Sequence, residues 1–280
     1  MEGYIGFENY KDNKLRLEVG RVYTRRPVIG GKLSFFDNPL DVLRYYPPCD
    51  SGYSRVKSPD NKADKQGHHV NTSELRVIED VGLGDIAEAA EKIIREGINT
   101  SKSIVSEKNR SIAVNKKKSA EAMNSGQFSV SVSVRDKSAA TSLNDKSVSV
   151  NTGNYSVTDS QGKYSVSVNT REGCVASSSG DKSLSACTGP CSIAKNTGTH
   201  SIAVSTGDES EAIVSGGQSV AISIGWRSKA KGALGCWLVL AECRSKKVID
   251  VKSTQVDGDR IKVNTFYRLK NGEFVECKGM

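Results

Sequence analysis

Ser147-Val-Ser-Val-Asn-Thr-Gly-Asn-Tyr-Ser156-Val-Thr-Asp-Ser-Gln-Gly-Lys-Tyr-Ser165-Val-Ser-Val-Asn-Thr170 holds one nine-residue unit written twice and begun a third time. Outward from it, serine recurs at Ser129 and Ser138 before, and at Ser183, Ser192, Ser201, Ser210, Ser219 and Ser228 after, with Cys174 in one slot. The second position is aliphatic (Val130, Val148, Val157, Leu184, Ile193, Ile202) and so, often, is the fourth (Val132, Val150, Val168, Val204). The third and fifth stay small or polar. This alternation is that of a strand with two unlike faces.

The seventh position is glycine in most copies, among them Gly153, Gly162, Gly180, Gly198 and Gly216, where the reading expects a turn through positive φ. Each unit then holds about five residues of strand and four of turn. A unit this small cannot bury its aliphatic row alone, so neighbours must stack coil on coil. The expectation is mainly β: a parallel β-solenoid with two strands per coil over residues 101–232, irregular before Ser129. An aliphatic row and a flat Ser/Ala row are both on offer, and one of them can face a partner. The turns lack the paired glycines and regular aspartate of calcium-binding nonapeptide rolls, so no metal is expected. A Thr/Ser column along the sixth position is broken by Leu143, Gln161 and Ile224 and reads as strand preference.

The stretch Ser219-Val-Ala-Ile-Ser-Ile-Gly-Trp-Arg-Ser-Lys-Ala-Lys-Gly232 resembles the head repeats of trimeric autotransporter adhesins. That resemblance implies a homotrimer.

The first hundred residues lack the repeat and read as a small N-terminal α+β domain. Asn38-Pro39 opens a helix that stops before Pro47-Pro48, and Asp85 is expected to cap a second, residues 85–96, whose apolar face (Ile86, Ala89, Ala90, Ile93, Ile94) would cover the first coil. Leu17-Glu-Val-Gly-Arg-Val-Tyr23 followed by Asn38-Pro-Leu-Asp-Val-Leu-Arg-Tyr-Tyr-Pro-Pro48 resembles an uncharacterised phage and prophage domain, one fused in that family to such repeats and to a tail like Gly235-Cys-Trp-Leu-Val-Leu-Ala-Glu242. The family's Gly-Phe-His-x-Cys element is replaced here by Lys32-Leu-Ser-Phe-Phe36. Residues 233–280 read as a C-terminal antiparallel β cap, with strands at Trp237–Ala241, Val248–Lys252, Arg260–Val263 and Phe274–Glu276 and turns at Asp257-Gly258 and Asn271-Gly272.

The 36% hydrophobic fraction implies a thin core, and the formal charge of +8 is uneven: 15 basic against 16 acidic residues in 1–100, 16 against 10 in 101–235, and 9 against 6 in 236–280. The repeat lysines read as solvated guards against edge pairing, with little aromatic interleaving for nucleic acid. No apolar run is long enough for a membrane span and no leader is visible, so no membrane partner is expected, and the protein is placed in the host cytoplasm or on a virion. The seven cysteines (Cys49, Cys174, Cys187, Cys191, Cys236, Cys243, Cys277) show no CxxC pair and read as free thiols.

No catalytic residue, metal ligand or cofactor is assigned, and ligand-binding residues stay unassigned. His68 and His69 read as loop residues and His200 as a turn residue, none with an identifiable partner. The expected function is a non-enzymatic phage structural or binding protein, its partners a host protein or the phage particle. Two alternatives accompany it: an inhibitor of host defence that sequesters a small nucleotide or blocks a defence protein, and a degenerate nucleotide-dependent transferase using Arg16, Arg21, Tyr23 and the Tyr45-Tyr46 pair.

Overall fold

The computed structural model describes residues 1–8, 17–24, 33–46, 51–59, 64–96, 102–245 and 247–277. It divides into two compact units, Met1–Ala90 and Glu91–Lys278, with repeat and tail in the same unit.

In the N-terminal unit, β1 (Glu2–Glu8), β2 (Val22–Tyr23), β4 (Ser51–Lys57) and β7 (Leu75–Val81) form an antiparallel sheet in the order β1-β4-β7-β2, and β3 (Leu33–Phe35), β5 (Asp64–Gln66) and β6 (His69–Thr72) form a second. Ile5, Leu33, Phe35, Val56, Val70, Leu75 and Val77 make one buried cluster, an ordinary core of large side chains. The helix α1 (Pro39–Tyr45) starts as its sequence dictates: Asn38 Oδ1 accepts the Leu40 N–H at 3.1 Å and Pro39 fills the first turn. The helix α2 (Leu83–Glu96) starts two residues earlier than expected. Asp85 is not its cap but lies in its first turn, where its Oδ2 accepts the Gly82 N–H at 2.8 Å. Ile86 and Ala90 are buried on that helix, whereas Ile93 is exposed; the side chain of Ile94 lies outside the described residues.

The second unit is the parallel β-solenoid, of about eight turns. Fifteen strands, β8 (Ile104–Ser106) through β22 (Lys229–Gly232), alternate between two sheets, so that each strand pairs in parallel with the strand 18 residues away. From β9 onward these strands are four residues long, one fewer than expected, because the first-position serine belongs to the corner.

Two expectations about the repeat are corrected. The row facing inward is the Ser/Ala/Asn row of positions three and five, not the aliphatic row: Ser131, Ser149, Ser167 and Ser185 are fully buried, whereas Val130, Val148, Val166 and Leu184 are half-exposed. Hydrogen bonds explain the inversion. Ser131 Oγ donates to the Thr141 carbonyl across the coil at 2.7 Å, and Ser149 repeats this to Asp159 at 2.8 Å and Ser185 to Lys195 at 2.7 Å. Asn196 sends Nδ2 to the Ser183 carbonyl at 3.2 Å and accepts the Gly198 N–H at 3.0 Å. A buried polar group that is fully partnered is tolerated, and only small side chains fit between sheets joined by five-residue corners.

Nor does the seventh-position glycine carry the positive φ; that falls on the ninth position, from Arg110 and Phe128 to Gln218 and Arg227. Glycine is needed for close approach instead. A Cβ on Gly198 would sit 2.0 Å from the Gly180 carbonyl oxygen one coil below, and one on Gly216 2.0 Å from that of Gly198. The recurring serine also gains a role: Ser219 Oγ accepts the Ser201 N–H at 3.0 Å and donates to the Gly198 carbonyl at 3.0 Å, tying its corner twice to the corner one coil below, where the strand ladder stops.

Both sheets end in antiparallel pairing. The strand β23 (Trp237–Arg244) adds in parallel to Val220–Ser223 and folds back through β24 (Lys247–Gln255); β25 (Tyr267–Lys270), hairpinned to β26 (Glu273–Glu276) through Asn271-Gly272, pairs at Tyr267 with Ala230. Arg260–Val263, expected as a strand, is a loop. Asp257 Oδ1 accepts the N–H groups of Asp259 and Ile261 at 3.0 and 2.9 Å, curling the chain so that Ile261 enters the core with Leu238, Leu240 and Val256.

Candidate functional site

Among the described residues no group of His, Cys, Asp and Glu is arranged to hold a metal ion, and no helix is long and apolar enough to cross a membrane. The surfaces that stand out belong to the solenoid.

One face of the nine-stranded sheet carries two in-register aliphatic ladders. Position two runs from Ile112 through Val130, Val148, Val166, Leu184, Ile202 and Val220 to Trp237, and position four from Val114 to Val239, each residue paired directly with the next. Seven inter-strand steps make the strip roughly 34 Å long. Ile112 is 68% exposed and Trp237 44%, and the members between are half-exposed apart from Ile202, also open. On the ten-stranded sheet the equivalent position-two residues Ala139, Val157, Val175 and Ile193 are fully buried. Beside the open strip the sixth position supplies Thr152, Thr170, Thr188 and Thr206, all exposed. The interruptions at Leu143 and Gln161 lie on the opposite corner, so the column is continuous over these four rungs.

That opposite corner has its own ladder at the ninth position: Arg110, Phe128, Lys146, Tyr164, Lys182 and His200, one per coil. Cations and rings alternate. Arg110 and Lys146 lie 5.8 and 5.0 Å from the Phe128 ring centre, and Lys182 lies 5.3 Å from that of Tyr164, with Nζ 3.2 Å from its hydroxyl. A nine-residue reading hides this aromatic interleaving, because successive units alternate corners; the 18-residue phase shows it.

In the N-terminal unit the structure supplies a partner that sequence reasoning did not find: His68 Nδ1 lies 3.0 Å from Oδ1 of the buried Asp41, although not aligned as a hydrogen bond. Phe36 stacks on Tyr45 at 5.2 Å and meets His69 at 4.6 Å. The only hint of this cluster was Asp41 within the Asn38-Pro-Leu-Asp element. Arg21 and Tyr23 are engaged elsewhere, Arg21 with Glu18 at 3.0 Å and Tyr23 through its hydroxyl with the Glu18 N–H at 2.8 Å; Arg16 lies outside the described residues. A cavity of about 280 Å³ in this unit is lined by Tyr4, Arg55, Glu79, Asp80, Asp85 and Glu88, and so draws on none of the transferase candidates.

The described cysteines are free, and burial pushes the thiols of Cys174 and Cys191 up to about 12 and that of Cys187 well above its usual range, so all three stay protonated at neutral pH. Cys49 lies outside the described residues. His200 sits on the exposed corner, tied by its N–H to the Gly217 carbonyl at 3.0 Å. Near the C-terminal end a second cavity, about 210 Å³, is lined by Arg227, Glu242, Cys243, Arg268 and Lys270 among others. Comparison with protein-family models, with curated proteins and with solved structures finds no match to this chain, so its function is read from these surfaces.

Proposed function

We propose that this protein is a phage-encoded, non-enzymatic binding protein. It is a rigid rod of three solenoids, joined side by side through the aliphatic strip and presenting the N-terminal unit for recognition, in the host cytoplasm or on the virion. The uninterrupted strip from Ile112 to Trp237 carries this reading. A contiguous apolar strip of this length on the order of several hundred Å² is at the upper end of what monomers expose. Its regular, in-register rungs fit another copy of themselves, and a closed ring of three leaves no strip open. The absence of charge on the strip favours self-association over an acidic or basic partner. The local likeness of Ser219–Gly232 to trimeric adhesin heads points the same way, and the Leu17–Pro48 motifs support the phage origin.

The experiment is native mass spectrometry. Three chains of 30.1 kDa give about 90 kDa. Val150→Lys with Val168→Lys should release monomers that keep their β spectrum. A wild-type monomer at micromolar concentration would falsify the assembly, and a dimer would retain the strip but remove the trimer.

A second reading, an inhibitor that sequesters a nucleotide signal, is favoured by the cavity that Arg227, Arg268 and Lys270 line. A thermal-shift series with cyclic and ADP-ribose-type nucleotides decides it: no stabilisation at millimolar ligand removes it.

A further inference from the structure

We propose that the ninth-position corner from Arg110 to His200 is a binding track for single-stranded nucleic acid, with Phe128 and Tyr164 as stacking platforms for bases and Arg110, Lys146 and Lys182 as partners for the phosphates.

Three observations carry this. The backbone at these six positions holds φ between 53° and 57°, a conformation that glycine adopts without strain and bulky side chains resist. The fold does not require bulk there, since Gly173 fills the equivalent slot on the other corner. Every rung from Arg110 to His200 nevertheless carries a cation, a ring or an imidazole, while the other corner follows Ser119, Lys137 and Tyr155 with Gly173, Cys191 and Glu209.

The rings are also open. Phe128 is 48% exposed and Tyr164 51%, so burial does not account for them. Each holds a cation within reach of its face, an exposed contact that a stacking base would displace. A base that takes the lysine's place leaves that ammonium beside the phosphate.

Charge and spacing agree with this occupant. Lys108 and Lys163 add to the corner's cations, whereas Asp145 and Asp181 accept the backbone N–H groups of Lys163 and Thr199 at 2.8 and 3.0 Å, and Asp181 has Lys163 Nζ at 3.9 Å. Rings two rungs apart are separated by roughly 9.6 Å, far more than the step between stacked bases, so only an unpaired, unstacked strand can use both. Stacking on aromatic side chains with salt-sensitive backbone contacts is how such strands are held without sequence preference.

The test is fluorescence anisotropy of the full chain with a labelled oligothymidylate long enough to span the ladder, roughly 24 Å, and with a duplex of equal length. Single-strand binding should weaken steeply with salt and exceed duplex binding. Phe128→Gly with Tyr164→Gly should reduce affinity about tenfold or more. Lys146→Gly with Lys182→Gly should flatten the salt slope by about two. Glycine suits these φ values, so both variants should melt no lower than wild type. Lys117→Ala with Lys118→Ala, on the other corner, should bind as wild type does. Absence of binding at low salt, equal binding of duplex, or a loss as large in the other-corner variant overturns the proposal. The wild-type comparison of single strand with duplex decides even if a variant misfolds.

Discussion

In the N-terminal unit Phe35, Leu33, Val56, Leu75 and Val77 are each no more than 4% exposed, and the sheets are held by area removed from water. In the solenoid the same degree of burial belongs to Ser131, Ser149, Asn151, Ala194 and Ala203, whose side chains offer little apolar surface. There the stabilisation comes from strand-on-strand pairing repeated coil after coil and from hydroxyls and amides that satisfy the corners. The two regions should therefore fail differently. A core of large side chains is most sensitive to truncation, and a narrow polar core to added atoms or a missing partner.

The largest effect is expected at Phe35. Phe35→Ala empties a site 1% exposed in the middle of the N-terminal cluster and should cost about 3–5 kcal/mol. Amide exchange read separately on β4 and on the repeat strands checks it: protection should collapse in β4. Ser149→Ala, the equivalent truncation in the solenoid, removes a hydroxyl that donates to the Asp159 carbonyl at 2.8 Å and accepts from Ser160 Oγ at 3.2 Å, and should cost about 1–2 kcal/mol. Equal losses at the two sites would erase the contrast.

Next comes crowding. Gly180→Ala with Gly198→Ala places methyl groups about 2.0 Å from the carbonyl oxygens of Gly162 and Gly180, a distance that no rotamer relieves. Arg135, Asn144 and Arg171 occupy this slot elsewhere, and Lys117 with Arg135 does so on consecutive rungs of one corner, so the backbone there accommodates a side chain; two rungs inside the all-glycine series Gly162, Gly180, Gly198 and Gly216 are the sharper test. The expected loss is about 2–3 kcal/mol by urea titration, and a shift under about 0.5 would mean the coils slide freely.

A smaller loss is expected from Asn196→Leu, which keeps volume but strands the Gly198 N–H inside the coil and leaves the Ser183 carbonyl with the Ile202 N–H alone. About 2 kcal/mol should go. If leucine instead raised the melting temperature, the interior would tolerate an apolar ladder and the satisfied amides would lose their importance.

These sites also mark what could be read before the structure. The nine-residue phase, the parallel stacking, the Asn271-Gly272 turn and the Asn38-Pro39 helix start are local signals, each written within a few residues. Which row faces inward is not local. Hydropathy points Val148 and Val150 to the core, but the width of the coil is set by its corners, and the serine hydroxyls find carbonyl partners ten residues ahead. The Arg110 to His200 ladder needed a period of 18, twice the one that serine announces. The contact between His68 and Asp41 joins positions 27 residues apart through two sheets and a helix, and no spacing rule reaches it.

The smallest effect concerns Glu211, on the outward side of the ten-stranded sheet yet fully buried, with Lys229 Nζ at 3.3 Å. Burial holds its carboxyl above the ordinary value of 4.5, while Lys229 and Lys231 pull it partway back. An acid with a raised folded pKa binds its proton more tightly in the native chain than in the unfolded one. Its contribution is therefore complete below about pH 4.5 and is lost as pH rises through the folded value. Carboxyl carbon shifts should show Glu211 titrating above 4.5, and the stability of wild type relative to Glu211→Gln should fall as pH rises from 4 toward 7. A difference that grows with pH would mean that the lysine pair outweighs burial, and that this face of the sheet, unlike the interior it covers, is held by charge.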